Sequence, residues 1–226
     1  MKVVVFGATG MVGQGALREL TLDAGVERVL SVGRTPLEHK ADKVTDLVHK
    51  DLFDLEPVAE KLAGYDACFF CLGTSAAGMD EAAYRRITYD LTLSAAETLC
   101  RVSPGMTFLY VSGAGTDSSE KGRTMWARVK GATENALLAL PFEAAYMLRP
   151  GFIQPVHGVV SKTRLYRAIY AVSSPLFPLI RGLAAKHVMT SETLGQAMLV
   201  LAREGAEKKI LEAADLNEVA ARYRRP

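Results

Sequence analysis

Three glycines set three residues apart follow directly on an apolar strand near the start of this chain, and few folds accommodate that arrangement. The run Val3-Val4-Val5-Phe6 is unbroken and mostly β-branched, as expected of a parallel strand buried on both faces. Gly7-Ala8-Thr9-Gly10-Met11-Val12-Gly13 comes next, and the pattern then turns helical. Gly7 allows a sharp exit from the strand. Gly10 lets backbone N–H groups come close to a pyrophosphate, and Gly13 lets the helix lie tightly on the strand. A helix start presents unpaired N–H groups and a positive dipole end, which together favour phosphate. The spacing is G-x-x-G-x-x-G, not the G-x-G-x-x-G of the general dinucleotide motif. Its place directly after the strand makes it a nucleotide site.

A chain of 226 residues suits one α/β domain, or one with a small appended lobe. A net charge of +2 leaves no electrostatic footprint for nucleic acid, and Arg222, Arg224 and Arg225 read as a solvated end. The odd number of cysteines argues against a disulfide framework. Cys68 and Cys71 have C-x-x-C spacing within a strand-like run, so they point to opposite faces and read as small buried hydrophobes. No secretory signal precedes the first strand, which gives a cytoplasmic expectation.

Further along, helical and strand-like patterns alternate. A helix from Gly10 to Asp23 has Val12, Ala16, Leu17 and Leu20 inward. Strands are expected at Arg28–Val32, Thr45–His49, Asp66–Leu72, Thr107–Val111 and Ala144–Leu148. A short helix over Leu55–Ala63, a long one over Met79–Val102 and another over Arg123–Ala139 separate them. Right-handed crossovers then give a doubly wound parallel sheet of order 3-2-1-4-5-6, with the ligand crevice where strands one and four diverge. Residues 1–153 form this nucleotide-binding domain, and residues 154–226 form a small, mainly helical lobe packed on it. Within that lobe Gln154–Gly158 reads as a loop over the crevice. Leu165–Leu183 is apolar but broken by Pro175 and Pro178, which favours two short helices as a substrate lid over a membrane-surface contact. Ser191–Glu204 is an amphipathic helix capped by Thr190 or Ser191, Ile210-Leu211 adds an edge strand, and a last helix ends near Tyr223.

The end of strand two decides the cofactor. An acidic residue there would bond a ribose 2′-hydroxyl, but the sequence reads Val32-Gly33-Arg34-Thr35. The planar fork of Arg34 suits a 2′-phosphate, so NADP is expected over NAD. Asp51-Leu52 falls where an adenine edge meets an acceptor and an apolar wall, and Leu72-Gly73-Thr74 lines the middle of the cofactor.

These segments, with Val111-Ser112, Val129-Lys130-Gly131 and Leu148-Arg149-Pro150-Gly151, follow one another at intervals that resemble the extended or atypical short-chain dehydrogenases/reductases. Within that superfamily the chain is similar to the Tat-interacting-protein oxidoreductase group and its epimerase-like bacterial relatives. The resemblance implies a Rossmann fold and a cofactor held by Gly7, Thr9 to Gly13, Arg34, Lys130 and the stretch Pro150, Gly151 and Phe152. It also implies catalysis by a serine, here Ser112, and by a Tyr-x-x-x-Lys pair, the tyrosine transferring the proton and the lysine holding the nicotinamide ribose. Lys130 matches the lysine, but Trp126 stands at the tyrosine position, and an indole N–H does not titrate near neutrality. Two functions follow. One is an NADP(H)-dependent oxidoreductase acting on a carbonyl, quinone-like or nucleotide-sugar substrate, with Tyr84, Tyr89, His157 or a water supplying the proton. The other is a catalytically degenerate NADP(H) sensor or scaffold. A homodimer paired through the long helices is an analogy of fold.

Overall fold

Residues 1–38, 40–159 and 188–225 are described by the computed structural model. Side chains along β1 (Lys2–Phe6) alternate, sending Val3 and Val5 to one face of the sheet and Val4 and Phe6 to the other. Both faces are covered at the centre of the sheet, so β1 and β4 read as continuous apolar runs. Next come α1 (Met11–Leu22), β2 (Arg28–Gly33), β3 (Val44–Val48), a 3-10 turn (Glu56–Leu62) and β4 (Ala67–Phe70). The long helix expected from Met79 divides into α2 (Glu81–Arg85), a π turn (Arg86–Asp90) and α3 (Leu91–Val102). β5 (Thr107–Val111), α4 (Met125–Ala139), β6 (Ala144–Arg149), β7 (Phe152–Gln154) and β8 (Val188–Thr190) follow. α5 (Ser191–Glu204), β9 (Ile210–Glu212) and α6 (Ala213–Ala221) end the described chain.

The central sheet has seven strands in the order β3-β2-β1-β4-β5-β6-β9, and all its pairings are parallel. This is the expected doubly wound order, extended by β9. β7 and β8 form a separate parallel pair that the sequence pattern did not suggest, since three-residue strands are too short for a visible alternation. On one face of the main sheet, Ala16 and Leu20 of α1 meet Leu194, Ala197 and Met198 of α5 over Val3, Val5 and Leu109. On the other, Ala95, Ala96 and Leu99 of α3 cover Val4, Phe70 and Phe108. Burying each of the larger side chains contributes about 1.5–3 kcal/mol.

The chain after Val188 thus returns to the central core. α5 is capped by the Thr190 side chain, which accepts from Thr193 N. It lies so close to α1 that a Cβ on Gly15 would fall 2.7 Å from Ser191 Cβ. Buried Asp23 at the end of α1 accepts from Arg203 of α5 (2.9 and 2.5 Å) and from the Tyr223 hydroxyl (2.8 Å). The expected lid helices over Leu165–Leu183 lie outside the described residues.

Candidate functional site

β1 and β4 pair as far as Phe6 and Phe70 and then separate, and the glycine turn fills the start of the gap. Gly7 takes φ +77°, a left-handed conformation that turns the chain sharply out of the strand. Any side chain on it would also strike Leu72 N at 2.7 Å. A Cβ on Gly13 would lie 2.1 Å from Gly7 O, so only glycine lets α1 sit this close to the strand exit. α1 begins at Gly10 with no side-chain cap and no acidic residue in its first turn. Its leading N–H groups therefore keep their hydrogen-bonding capacity for something in the crevice.

Two adjoining cavities run along the C-terminal edge of the sheet. One, of about 590 Å³, is lined by Gly7, Thr9, Gly10, Met11, Val12, Arg34, Leu72, Gly73, Thr74, Ser112 and Lys130, together with Cys71, Ser75 and Val111. The other, of about 500 Å³, shares Gly7, Thr9, Arg34 and Leu72 with it and adds Leu52 and the end of β2. Most of the residues singled out from the sequence are therefore brought to one crevice. Gly13 is buried behind it. Asp51 is exposed and its carboxylate accepts from Phe53 N (3.0 Å), while Leu52 alone of that pair reaches a cavity wall. Trp126, Pro150, Gly151 and Phe152 line neither cavity. The C-x-x-C thiols are inert. Burial pushes Cys71 up to about 12 and also raises Cys68 well above the ordinary thiol value, and the two belong to opposite faces of the sheet.

Ser112 directly follows β5 and is held by its own N–H, which donates to Leu148 O (2.7 Å). Its hydroxyl lies 3.0 Å from that of Thr116, which in turn donates to Gly113 O (2.8 Å). Lys130 comes across from α4, donates to Ser112 O (3.2 Å) and lies over the Tyr110 ring at 5.3 Å. Burial lowers its ammonium from the ordinary lysine value to about 8, against a weaker opposing pull from Glu134 one turn on.

The supports of this pair escaped the sequence. Fully buried Glu134 accepts from Arg149 through both oxygens (3.0 and 2.5 Å), and Arg149 also donates to Glu212 (3.1 Å) and to Ser118 (2.5 Å). One guanidinium thus ties α4, β6, β9 and the loop after Ser112 together. Its signal was only a charged residue on the inward side of a helix.

The other proton donors considered from the sequence lie elsewhere. Tyr84 is 2% exposed within the packing of α2. Tyr89 lies beneath the Arg85 guanidinium, 3.9 Å from its ring centre. His157 Nε2 is 3.0 Å from Glu192 Oε2 and lines a different cavity against the outer side of α1. Among the described residues no cluster of three metal-ligating side chains occurs, and no helix is long and apolar enough to cross a membrane.

This architecture is Rossmann-like, and its structural neighbours include a short chain dehydrogenase family protein, an epimerase and proteins solved with NAD. The chain superposes on MoeE5 in complex with UDP-glucuronic acid and NAD with a TM-score of 0.68 at 16% identity, covering 94% of this chain and 76% of that one. The uronate dehydrogenase of Agrobacterium tumefaciens gives 0.65 at 15%, with 94% and 76% covered, and the PhqB reductase domain of Penicillium fellutanum gives 0.66 at 19%, with 94% and 66% covered. At such identities the likeness is one of fold. No protein-family model matches the chain.

In sequence the chain is similar to fungal proteins named FMP52, mitochondrial. The Emericella nidulans protein is 32% identical over 158 residues, covering 67% of this chain and 66% of its own length. That of Meyerozyma guilliermondii is 24% identical over 233 residues, covering 99% and 97%. Except in that second comparison, the matches span about two thirds of the relatives' length. These names correct the expected cytoplasmic location. A missing secretory signal bears on the secretory route and does not distinguish cytoplasm from mitochondrion.

Proposed function

We propose that this chain binds NADP(H) along the crevice and acts as a short-chain-type oxidoreductase on a small carbonyl, quinone-like or nucleotide-sugar substrate. The residues present fit the dinucleotide. Uncapped N–H groups at the start of α1 suit the pyrophosphate, Leu52 offers an apolar wall for the adenine, and Ser112 and Lys130 stand at the other end of the crevice. When bound, the reduced dinucleotide supplies a hydride. Within this reading Ser112 orients the substrate oxygen and Lys130 contacts the ribose beside it. The motif set in the sequence supports kinship with the Tat-interacting-protein oxidoreductase group, and the names of the FMP52 relatives support a mitochondrial setting.

Arg34 is the observation that carries the cofactor choice. It lines both cavities at the end of β2, no acidic side chain stands with it there, and among the described residues no carboxylate pairs with it. A charge-assisted contact to a 2′-phosphate contributes about 1.5–3 kcal/mol. Arg34→Ala should therefore weaken NADPH binding by roughly 10- to 100-fold and leave NADH binding little changed, as measured by NADPH and NADH fluorescence titration. Equal losses for both cofactors would remove the case for NADP.

Trp126 favours a second reading, in which the dinucleotide is a ligand and no turnover occurs. Steady-state NADPH oxidation across a panel of carbonyl and quinone acceptors separates the two. The oxidoreductase shows saturable turnover that Ser112→Ala diminishes, and the sensor binds NADPH with none.

A further inference from the structure

The crevice poses a problem for the proposed chemistry. A carbonyl receiving a hydride must also receive a proton, and the tyrosine that would give it is absent. Tyr84 is buried, Tyr89 lies beneath Arg85, and His157 faces Glu192 on another wall. Trp126 sits against Gly115.

We propose that Lys130 Nζ is itself the proton donor to the substrate oxygen, acting as the catalytic acid from its place beside Ser112. The inference rests on the oxidoreductase reading and deepens it. Arg34, Cys71 and Lys130 are the ionisable side chains lining the larger cavity. An arginine does not give up its proton at working pH, and Cys71 is pushed up to about 12 by burial. Lys130, at about 8, is left as the group whose proton is both present and transferable near neutrality.

The geometry agrees. An ammonium has three N–H donors, and one goes to Ser112 O at 3.2 Å. No ion pair of Lys130 with a carboxylate occurs among the described residues, and Lys130 and Ser112 both line the cavity, so the remaining donors are open to a molecule held there. The groups around Nζ are Tyr110 beneath it on β5 and Glu134 on its own helix, and Arg34 and Cys71 line the same cavity. Arg149 on β6 engages both oxygens of Glu134 and so holds that carboxylate away from Lys130.

The step balances. As the hydride reaches the carbonyl carbon, the C=O π bond breaks, a C–H bond forms, and the oxygen takes a proton from Nζ to become a hydroxyl. The neutral amine then regains a proton from water, and the dinucleotide leaves in its oxidised form.

Two measurements test this. In the protein without added nucleotide, Lys130 acetylation by acetic anhydride is followed against pH by mass spectrometry. A midpoint near 8 is expected, and one above 10, like a surface lysine, would overturn the proposal. In the second, K130R keeps a cation for the ribose but holds its proton. It should bind NADPH within about 3-fold of the native affinity, yet lose turnover by about 10²–10⁴-fold. The native kcat should also fall as pH rises through about 8. K130R turning over at more than a tenth of the native rate sinks the acid role and leaves the oxidoreductase reading standing. Native protein that binds NADPH and reduces no acceptor sinks that reading and the acid role with it.

Discussion

A lysine that is easily deprotonated is also a cost to the fold. Burial makes the Lys130 ammonium less favourable in the native protein than in the unfolded chain, where it titrates near the ordinary 10.5. The unfolded state therefore holds more protons between about 8 and 10.5, and stability from this group rises with pH across that window. Below 8 the full penalty applies. Lys130→Met removes it, so at pH 7 the variant should melt above the native protein, with the advantage fading as pH approaches 10.5. Thermal unfolding at several pH values checks this, and a variant that melts lower at pH 7 would contradict it. The position of Lys130 was legible from its spacing to Trp126. Ser112 was placed with it only through the resemblance, and Tyr110 not at all, because it reaches Lys130 only through the crossing of α4 over β5.

Among the elements, β1, the glycine turn and α1 were read nearly to the residue, since local pattern alone specifies them. The interruption in the long helix was not. The apolar period runs unbroken from Tyr84 to Leu99, and only the backbone shows Leu91 N donating to Arg86 O, five residues back. The same limit hid the joint made by Arg149, whose partners come from α4, β9 and the loop after Ser112. Glu134→Ala leaves that guanidinium buried with one of its three partners, the one that holds it through both oxygens, gone. Breaking a buried pair this way costs about 3–5 kcal/mol, and Glu212 and Ser118 keep the expected loss near the lower end. Urea unfolding measures it, and a change below about 1 kcal/mol would mean the joint is dispensable. Because Ser118 is one of the tied groups, the loop that positions Ser112 should also loosen, seen as faster amide exchange from Gly113 to Gly122.

For the molecule as a whole, the link between α1 and the last third of the chain sets the acid limit. Burial alone would raise the Asp23 carboxyl, but the bonds from Arg203 and Tyr223 outweigh it and hold the group below its ordinary value. A depressed carboxylate stabilises the fold above the unfolded value of ~3.9, and that contribution is lost as pH falls through the native value. The melting temperature should therefore drop steeply below about pH 4, and Asp23→Asn, already less stable at pH 7, should show a shallower fall. Parallel melting curves for the two proteins across acid pH decide the point.

The same link also sets an order in time. Asp23 and Arg203 are 180 residues apart, and Gly15 meets Ser191 across a comparable span. During synthesis β1 and α1 emerge well before α5, so the part of the Val3, Val5 and Leu109 face that α5 covers beside α1 stays open until late. A nascent chain must keep that apolar surface from other partners while the strands between α1 and α5 are made, which is the slow and aggregation-exposed regime of long-range pairing.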